Sequence, residues 1–462
     1  MSILLRRVEV DGRGVDVRIA GSRIEAIGPH LDALGSEVVD GRGGALIPGL
    51  ADHHLHLFAM AADLRSVRCS PAAVGGLAGL AAALSAAPAD EHGWVRGVGY
   101  HEDVAGLLDA PTLDRIHRDR PVRIQHASGA VWFLNSAAIR ATGLAAAHHP
   151  GVERDATGRP TGRVWRGDDL LHSLLPAGDP PSLREVSRRL ARFGIVAVTD
   201  ATPRLDQQRV DLFRTALASG ELAQHVTLLG APLGVDLQEP LLAAGPWKIV
   251  LADSELPGID DLVAEIREAH SSLRPVAAHC VTSASLFLFL AALDEAGTLP
   301  GDRIEHAAVV PAPAIGMLAE RGLRVVTQPG FLPDRGDRFA AGTPLAEHGD
   351  LYRCRSLLDR GIPVAMSSDA PYGPLDPWQV IAAAADRLIP GGHTLGASEA
   401  LTPARVLESY LTPTYDPGGP PRRLSAGGPA DLVLLHQPLG EALREPSCEQ
   451  VNMVFVRGLP AT

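Results

Sequence analysis

The chain has 462 residues, 46% hydrophobic and 21% charged, with a formal net charge of −12, proportions that exclude a disordered polypeptide. The acidic balance, without any basic block, excludes nucleic acid or an anionic membrane surface as the main partner. Four widely separated cysteines (Cys69, Cys280, Cys354, Cys448) exclude a disulfide scaffold and a Cys-x-x-Cys zinc site. No apolar stretch approaches the ~20 residues of a bilayer span, and the start carries charges where a signal peptide needs its apolar core, so a soluble, cytoplasmic protein is expected. The feature that asks for an explanation is 18 histidines in an acidic chain.

From the start, residues 8–24 alternate apolar and polar side chains around Asp11-Gly12 and Gly21-Ser22, the pattern of antiparallel strands. The stretches 430–435 and 451–456 read the same way, so residues 1–45 and 425–462 are expected to form one small composite β-sandwich domain. In between, eight short β-rich runs (45–52, 195–200, 225–230, 247–253, 275–279, 303–306, 324–328 and 363–369) alternate with helical periods such as 260–270, 284–296, 313–321 and 351–359. Eight strands with intervening helices predict an α/β protein built on a parallel (β/α)8 barrel of the TIM type over residues 46–424. The gap of residues 58–194 is too long for one crossover. It predicts an insertion at the barrel mouth after the first strand, helical near 77–84 and 134–142, with a hairpin around Arg154-Asp-Ala-Thr-Gly.

The chemistry-bearing residues fall at the ends of these runs. In Asp52-His-His54-Leu-His56, residues two apart share a strand face, so His54 and His56 point together and can chelate one ion. Alone, that motif is as well explained by packing. His279, His306 and Asp369, however, end the fifth, sixth and eighth runs, and strand ends converge on the active site of such a barrel. Lys248 sits inside the fourth run among apolar residues, where a bare ammonium is costly. It either pairs with Asp253, snorkels to the mouth, or carries a CO2-derived carbamate, an anionic oxygen ligand.

In these residues the chain resembles the amidohydrolase superfamily, in the branch of YtcJ-like proteins and N-substituted formamide deformylases. The resemblance runs over nearly the whole chain. Its marks are Pro48-Gly-Leu-Ala-Asp-His-His54-Leu-His56, Lys248-Ile-Val-Leu-Ala-Asp253, His279, Arg303-Ile-Glu-His306, Ser367-Ser-Asp369-Ala-Pro371, Trp132-Phe-Leu-Asn135-Ser136 and Gly428-Pro-Ala-Asp431-Leu-Val-Leu. It implies His54, His56 and Asp369 on one metal, His279 and His306 on a second, and Lys248 as a bridging carbamate. The implied ions are two Zn2+, with Mn2+, Fe2+ or Co2+ as alternatives. The implied activity is hydrolysis of a C–N bond (amide, N-acyl or N-formyl amine, cyclic amide, carbamate or urea) in a small molecule by a metal-activated hydroxide, with Asp369 as the catalytic proton carrier. A homo-oligomer, a dimer, is expected.

Three departures separate this chain from its branch. The fifth-run histidine is followed by Cys280-Val-Thr282-Ser283, without the usual Gly-Asp pair. Ser128-Gly129-Ala130 replaces Asp-Gly-His in the insertion, and Thr199 precedes Asp200 where a histidine is common. Deformylase specificity is therefore not transferred. Substrate contacts are expected among Tyr100, His101, Glu102, Trp132, Gln328, Tyr372 and Trp378, each with packing as the competing explanation. Two other functions were weighed. A mononuclear deaminase acting on a nucleobase-like ring uses a Glu three residues beyond the fifth-run histidine, where this chain has Thr282. A non-catalytic barrel relative would lose ligands, and this chain retains them.

Overall fold

In a computed structural model of the protein, residues 2–33, 35–176, 178–237, 239–253 and 256–461 are described. The chain divides into two units, Met1–Leu57 with Ser182–Thr462, and Phe58–Pro181. In the first unit both termini meet. Strands Arg23–Gly28, Arg13–Ala20, Ser2–Val10 and Glu37–Asp40 form one sheet, and Leu459–Pro460, Val451–Val456, Leu432–Leu435 and Leu46–Pro48 form another. Their alternating apolar residues share a core, with Ile3, Leu5, Val17 and Ile19 against Leu432, Leu434 and Phe455. The run at 45–52 is not one strand, as expected from sequence, but two. Leu46–Pro48 pairs antiparallel with Leu432–Leu435, and Leu50–Leu55 begins the parallel set. Gly49 separates them, because a Cβ there would stand 2.4 Å from the Val196 side chain.

Eight parallel strand segments follow one another in a ring: Leu50–Leu55, Ile195–Asp200, His225–Leu228, Leu242–Ala244 continued by Trp247–Val250, Val276–Cys280, Arg303–His306, Arg324–Thr327 and Val364–Met366. The fourth is broken at Gly245-Pro246. Its first half pairs with the third strand and its second half with the fifth, and Lys248 N donates to Leu229 O at 3.2 Å. The ring closes beyond the last strand, where Asp369 N donates to His54 O at 2.8 Å and His56 N to Ala370 O at 2.9 Å. The strands Ile195–Asp200, Val276–Cys280 and Val364–Met366 are mainly apolar and buried, as parallel strands covered by helices require.

Helix Arg184–Arg192, within the span assigned from sequence to the insertion, belongs to this first unit, because its face Val186, Leu190 and Ala191 is buried there. Helix Pro377–Asp386 buries Trp378 completely, and its indole N–H donates to Phe193 O at 3.3 Å. Trp378, expected from sequence as a substrate contact, is therefore core. Trp378→Ala is expected to cost about 3–5 kcal/mol of stability, the usual loss for a buried aromatic, measurable by chemical denaturation.

The unit Phe58–Pro181 contains the expected helix at Leu77–Ala86 and the hairpin of Val152–Arg154 with Pro160–Trp165. The helix expected at 134–142 is confined to Ser136–Thr142. What periodicity did not show is a six-stranded sheet, because its strands are short and interrupted by glycine and proline. Its order is Val152–Arg154, Pro160–Trp165, Val131–Leu134, Val122–His126, Val95–Tyr100, Val67–Arg68.

Candidate metal centre

Strand alternation sorts the first parallel strand. Asp52, His54 and His56 share a face, and His53 lies on the other, where its Nε2 is 3.1 Å from Ser409 O and 3.0 Å from Thr412 Oγ1. Burial holds the His53 imidazole down to about 3, so it is a neutral packing residue against the outer helix. Inside the ring, the His54, His56 and Asp369 ligand atoms all lie within 4.8 Å of one another. Asp369 Oδ1 is 3.4 Å from His56 Nε2 and 3.7 Å from His54 Nε2. Tetrahedral coordination with bonds of ~2.0 Å spaces ligand atoms ~3.3 Å apart, so the triad has the dimensions of a metal site.

His306 joins the same cluster against the alternation rule. Arg303 and Glu305 share one face of their strand, and Glu305 Oε2 accepts the His54 Nδ1 hydrogen across the ring, so a regular strand would turn His306 away. Instead His306 has φ +72°, and its ring lies 4.8 Å from His54 and 4.3 Å from His279. Asp369 is also left-handed, at φ +53°. Two non-glycine residues held in this region cost on the order of 1–3 kcal/mol each, and such strain concentrates where function demands a particular side-chain direction.

Supporting side chains orient three of the imidazoles. Glu305 holds His54 Nδ1 while its other oxygen accepts from Arg303 Nε at 2.6 Å, leaving His54 Nε2 toward Asp369. Gln328 Oε1 is 2.9 Å from His306 Nδ1, and its amide is fixed by donating to Ser367 Oγ at 2.9 Å. His56 Nδ1 is 3.3 Å from Thr202 Oγ1, and Thr202 is set by Asp200, whose carboxylate accepts from Thr202 N and Leu57 N at 3.0 and 2.8 Å. Metal-ligating histidines characteristically have such partners on the far nitrogen. Sequence reasoning missed Glu305, Thr202 and Asp200 as site residues. The only hint was the Glu in Arg303-Ile-Glu-His306. Gln328, expected to touch substrate, is 1% exposed and is committed to His306. Gln328→Met is therefore expected to weaken metal binding ~10–100-fold with little change in KM, measured by competition with a metallochromic chelator.

Burial lowers the titration of both His54 and His306 well below the usual imidazole range, with Lys248 adding to the effect at His54 and His279 at His306. Both are therefore neutral donors. Lys248 is 3% exposed, and its Nζ has no hydrogen-bond partner among the described residues. The pairing with Asp253 considered from sequence does not form, because Asp253 accepts the Thr282 hydroxyl. Burial lowers the Lys248 pKa, opposed by the facing carboxylates Glu305 and Asp369. Thr282 itself caps helix Ser283–Ala296 and supplies no carboxylate there.

Of the expected substrate contacts, Tyr372 stands beside the cluster, its ring 5.7 Å from that of His56. Tyr100, His101, Glu102 and Trp132 belong to the Phe58–Pro181 unit. There Tyr100 is fully buried against Phe133, and Trp132 is buried between Arg96 and Arg123 with its N–H on Asp168 Oδ1 at 2.9 Å. Both are packing residues of that sheet.

Comparison with known proteins decides the family. The Amidohydrolase family model matches residues 37–458. The chain belongs to the amidohydrolase family. It is a hydrolase acting on C–N bonds. This amidohydrolase is 27% identical to the N-substituted formamide deformylase of Arthrobacter pascens over 517 aligned positions, covering 96% of this chain and 94% of that protein. It is 24% identical to YtcJ of Bacillus subtilis (strain 168), covering 74% and 73%. Its fold matches the crystal structure of a metal-dependent hydrolase from Pyrococcus horikoshii OT3 with a TM-score of 0.72 at 19% identity, covering 89% of this chain and 92% of that one. Asp369 Oδ1 is buried with no hydrogen-bond partner among the described residues, an orphaned oxygen that either a proton or a cation would satisfy, and the surrounding imidazoles fit a divalent ion.

Proposed function

We propose that this amidohydrolase cleaves a C–N bond of a small molecule, an amide, N-acyl or N-formyl amine, cyclic amide, carbamate or urea, at a centre held by His54, His56, His279, His306, Lys248 and Asp369. The observation that carries the reading is the convergence of His54, His56 and His306 on one buried carboxylate, Asp369, with His279 against His306 and Lys248 Nζ without a hydrogen-bond partner among the described residues. The donor set fits two divalent ions, Zn2+ before Mn2+, Fe2+ or Co2+, because imidazole nitrogen and carboxylate oxygen suit borderline cations. Lys248 joins the donor set as a carbamate. Burial favours its neutral amine, the form that adds to CO2, and the product is an anionic oxygen donor whose charge bound divalent ions would offset.

When bound, such ions supply Lewis acidity, acidifying a coordinated water toward pH 7 and polarising the substrate carbonyl. The protein's own groups do the rest. Asp369 accepts the proton lost by the attacking water, whose oxygen bonds to the carbonyl carbon, and delivers it to the leaving nitrogen as the C–N bond breaks. Glu305, Gln328 and Thr202 hold the imidazole rings in place through this exchange. Tyr372 borders the space beside His56 and is a substrate contact. The test is a hydrolysis screen of N-formyl and N-acyl amines, carbamates, hydantoins, lactones and guanine-type rings with zinc-loaded protein. Turnover confined to C–N acyl bonds supports the reading; turnover only of the ring amine of guanine assigns deamination instead.

A further inference from the structure

A second cluster lies in the Phe58–Pro181 unit. Strands Val95–Tyr100 and Val122–His126 are parallel neighbours, and Tyr100 pairs with His126 in register. The two strands therefore end side by side, one delivering His126 and the other leading into His101 and Glu102. Glu102 Oε2 is 3.1 Å from His126 Nε2 and 3.6 Å from His101 Nε2, and the two rings are 5.6 Å apart. One ligand atom from each of the three residues falls within 4.8 Å of the others. These spacings bracket the ~3.3 Å expected between ligands of tetrahedral zinc.

The far nitrogens are also provided for. His101 Nδ1 is 3.0 Å from Asp103 Oδ2, and His126 Nδ1 is 2.7 Å from Ser128 Oγ. Without an ion, His101 Nδ1 accepts the Asp103 N–H at 3.2 Å and His126 Nδ1 the Ser128 N–H at 3.1 Å, so the ring proton is on Nε2 beside Glu102. An ion at Nε2 displaces that proton, and Asp103 Oδ2 and Ser128 Oγ are in place to accept it on Nδ1. The three side chains are 20%, 40% and 14% exposed for His101, Glu102 and His126, so an ion can enter and keep a water as its fourth ligand.

The geometry points to a divalent-metal site made by His101, Glu102 and His126, none of them a member of the barrel cluster, that takes a borderline cation of the Zn2+ type. Two imidazoles and one carboxylate select such an ion over Mg2+ or Ca2+, which prefer all-oxygen shells. The site gives His101 and Glu102 a role other than the substrate contact expected from sequence. It does not depend on the reaction proposed for the barrel.

The test is zinc content of the full-length protein after dialysis against buffered Zn2+, measured by inductively coupled plasma mass spectrometry. His126→Ala is expected to hold one equivalent fewer than the parent, and the same loss is expected in a His54→Ala/His56→Ala background. Glu102→Gln, which keeps the side-chain shape, guards against misfolding and is expected to weaken zinc binding at this site at least ~10-fold. In the His54→Ala/His56→Ala background, Co2+ loading should give visible absorption that His126→Ala diminishes. Equal zinc content and equal cobalt spectra with and without these substitutions would overturn the site. Failure of His54→Ala/His56→Ala to lower zinc would count against the barrel centre alone.

Discussion

Asp369→Asn is expected to reduce kcat by ~10²–10⁴-fold, the contribution of a positioned general acid–base group, while zinc remains bound. The reasoning starts from its position. One carboxylate oxygen is 3.4 Å from His56 Nε2, and the other is 3.9 Å from His306 Nδ1. In the proposed reaction the side chain thus stands where the attacking water and the substrate carbonyl would meet. Asparagine preserves shape and one oxygen donor, so the ion is retained; it cannot take up a proton and pass it on. The measurement is kcat on the substrate found by the screen, paired with metal content of the same sample. Activity within tenfold of the parent would remove Asp369 from proton transfer, and loss of metal together with activity would make it a ligand first.

Lys248→Ala is the second large effect. It is expected to cost one equivalent of metal and ~10²-fold or more in kcat, because several kcal/mol of Lewis-acid stabilisation go with the ion. Added acetate or propionate should restore part of both, since a small carboxylate can enter the vacated space and replace the carbamate oxygens. The comparison that separates this from a structural role is Lys248→Met. A lysine that is only a buried, uncompensated cation is costly, so an apolar replacement of similar length should leave metal content unchanged and raise stability. Native mass spectrometry gives a third view, an added mass of one CO2 on the parent that is absent from both variants. Unchanged metal content in Lys248→Ala would end the bridging assignment.

The barrel core was legible because a parallel strand announces itself locally, as a short apolar run ending in a polar residue. His54, His56, His279, His306 and Asp369 are expected to converge on that ground, as strand-end residues, and the structure brings His54, His56 and Asp369 within 4.8 Å of one another. The insertion's sheet was less legible. Its strands are as short as Val67–Arg68 and are completed by neighbours far along the chain, so no window of sequence carries the pattern. Aromatic scarcity misled at Trp132 and Trp378. A rare tryptophan near the expected mouth read as a substrate contact, yet both satisfy their N–H groups internally and sit in cores.

By itself the sequence determined the candidate donor residues, their order and the shared face of His54 and His56, because two-residue alternation is a property of the local backbone. It also carried the family resemblance that the match over residues 37–458 bears out. Only the tertiary structure decided which nitrogen of His54 and of His56 faces Asp369. Glu305 meets His54 across 251 residues of chain and Thr202 meets His56 across 146, contacts that exist only once the ring has closed. It likewise decided the placement of His306, whose strand alternation points it the wrong way until a left-handed turn, stabilised by the packing around it, brings the ring into the cluster.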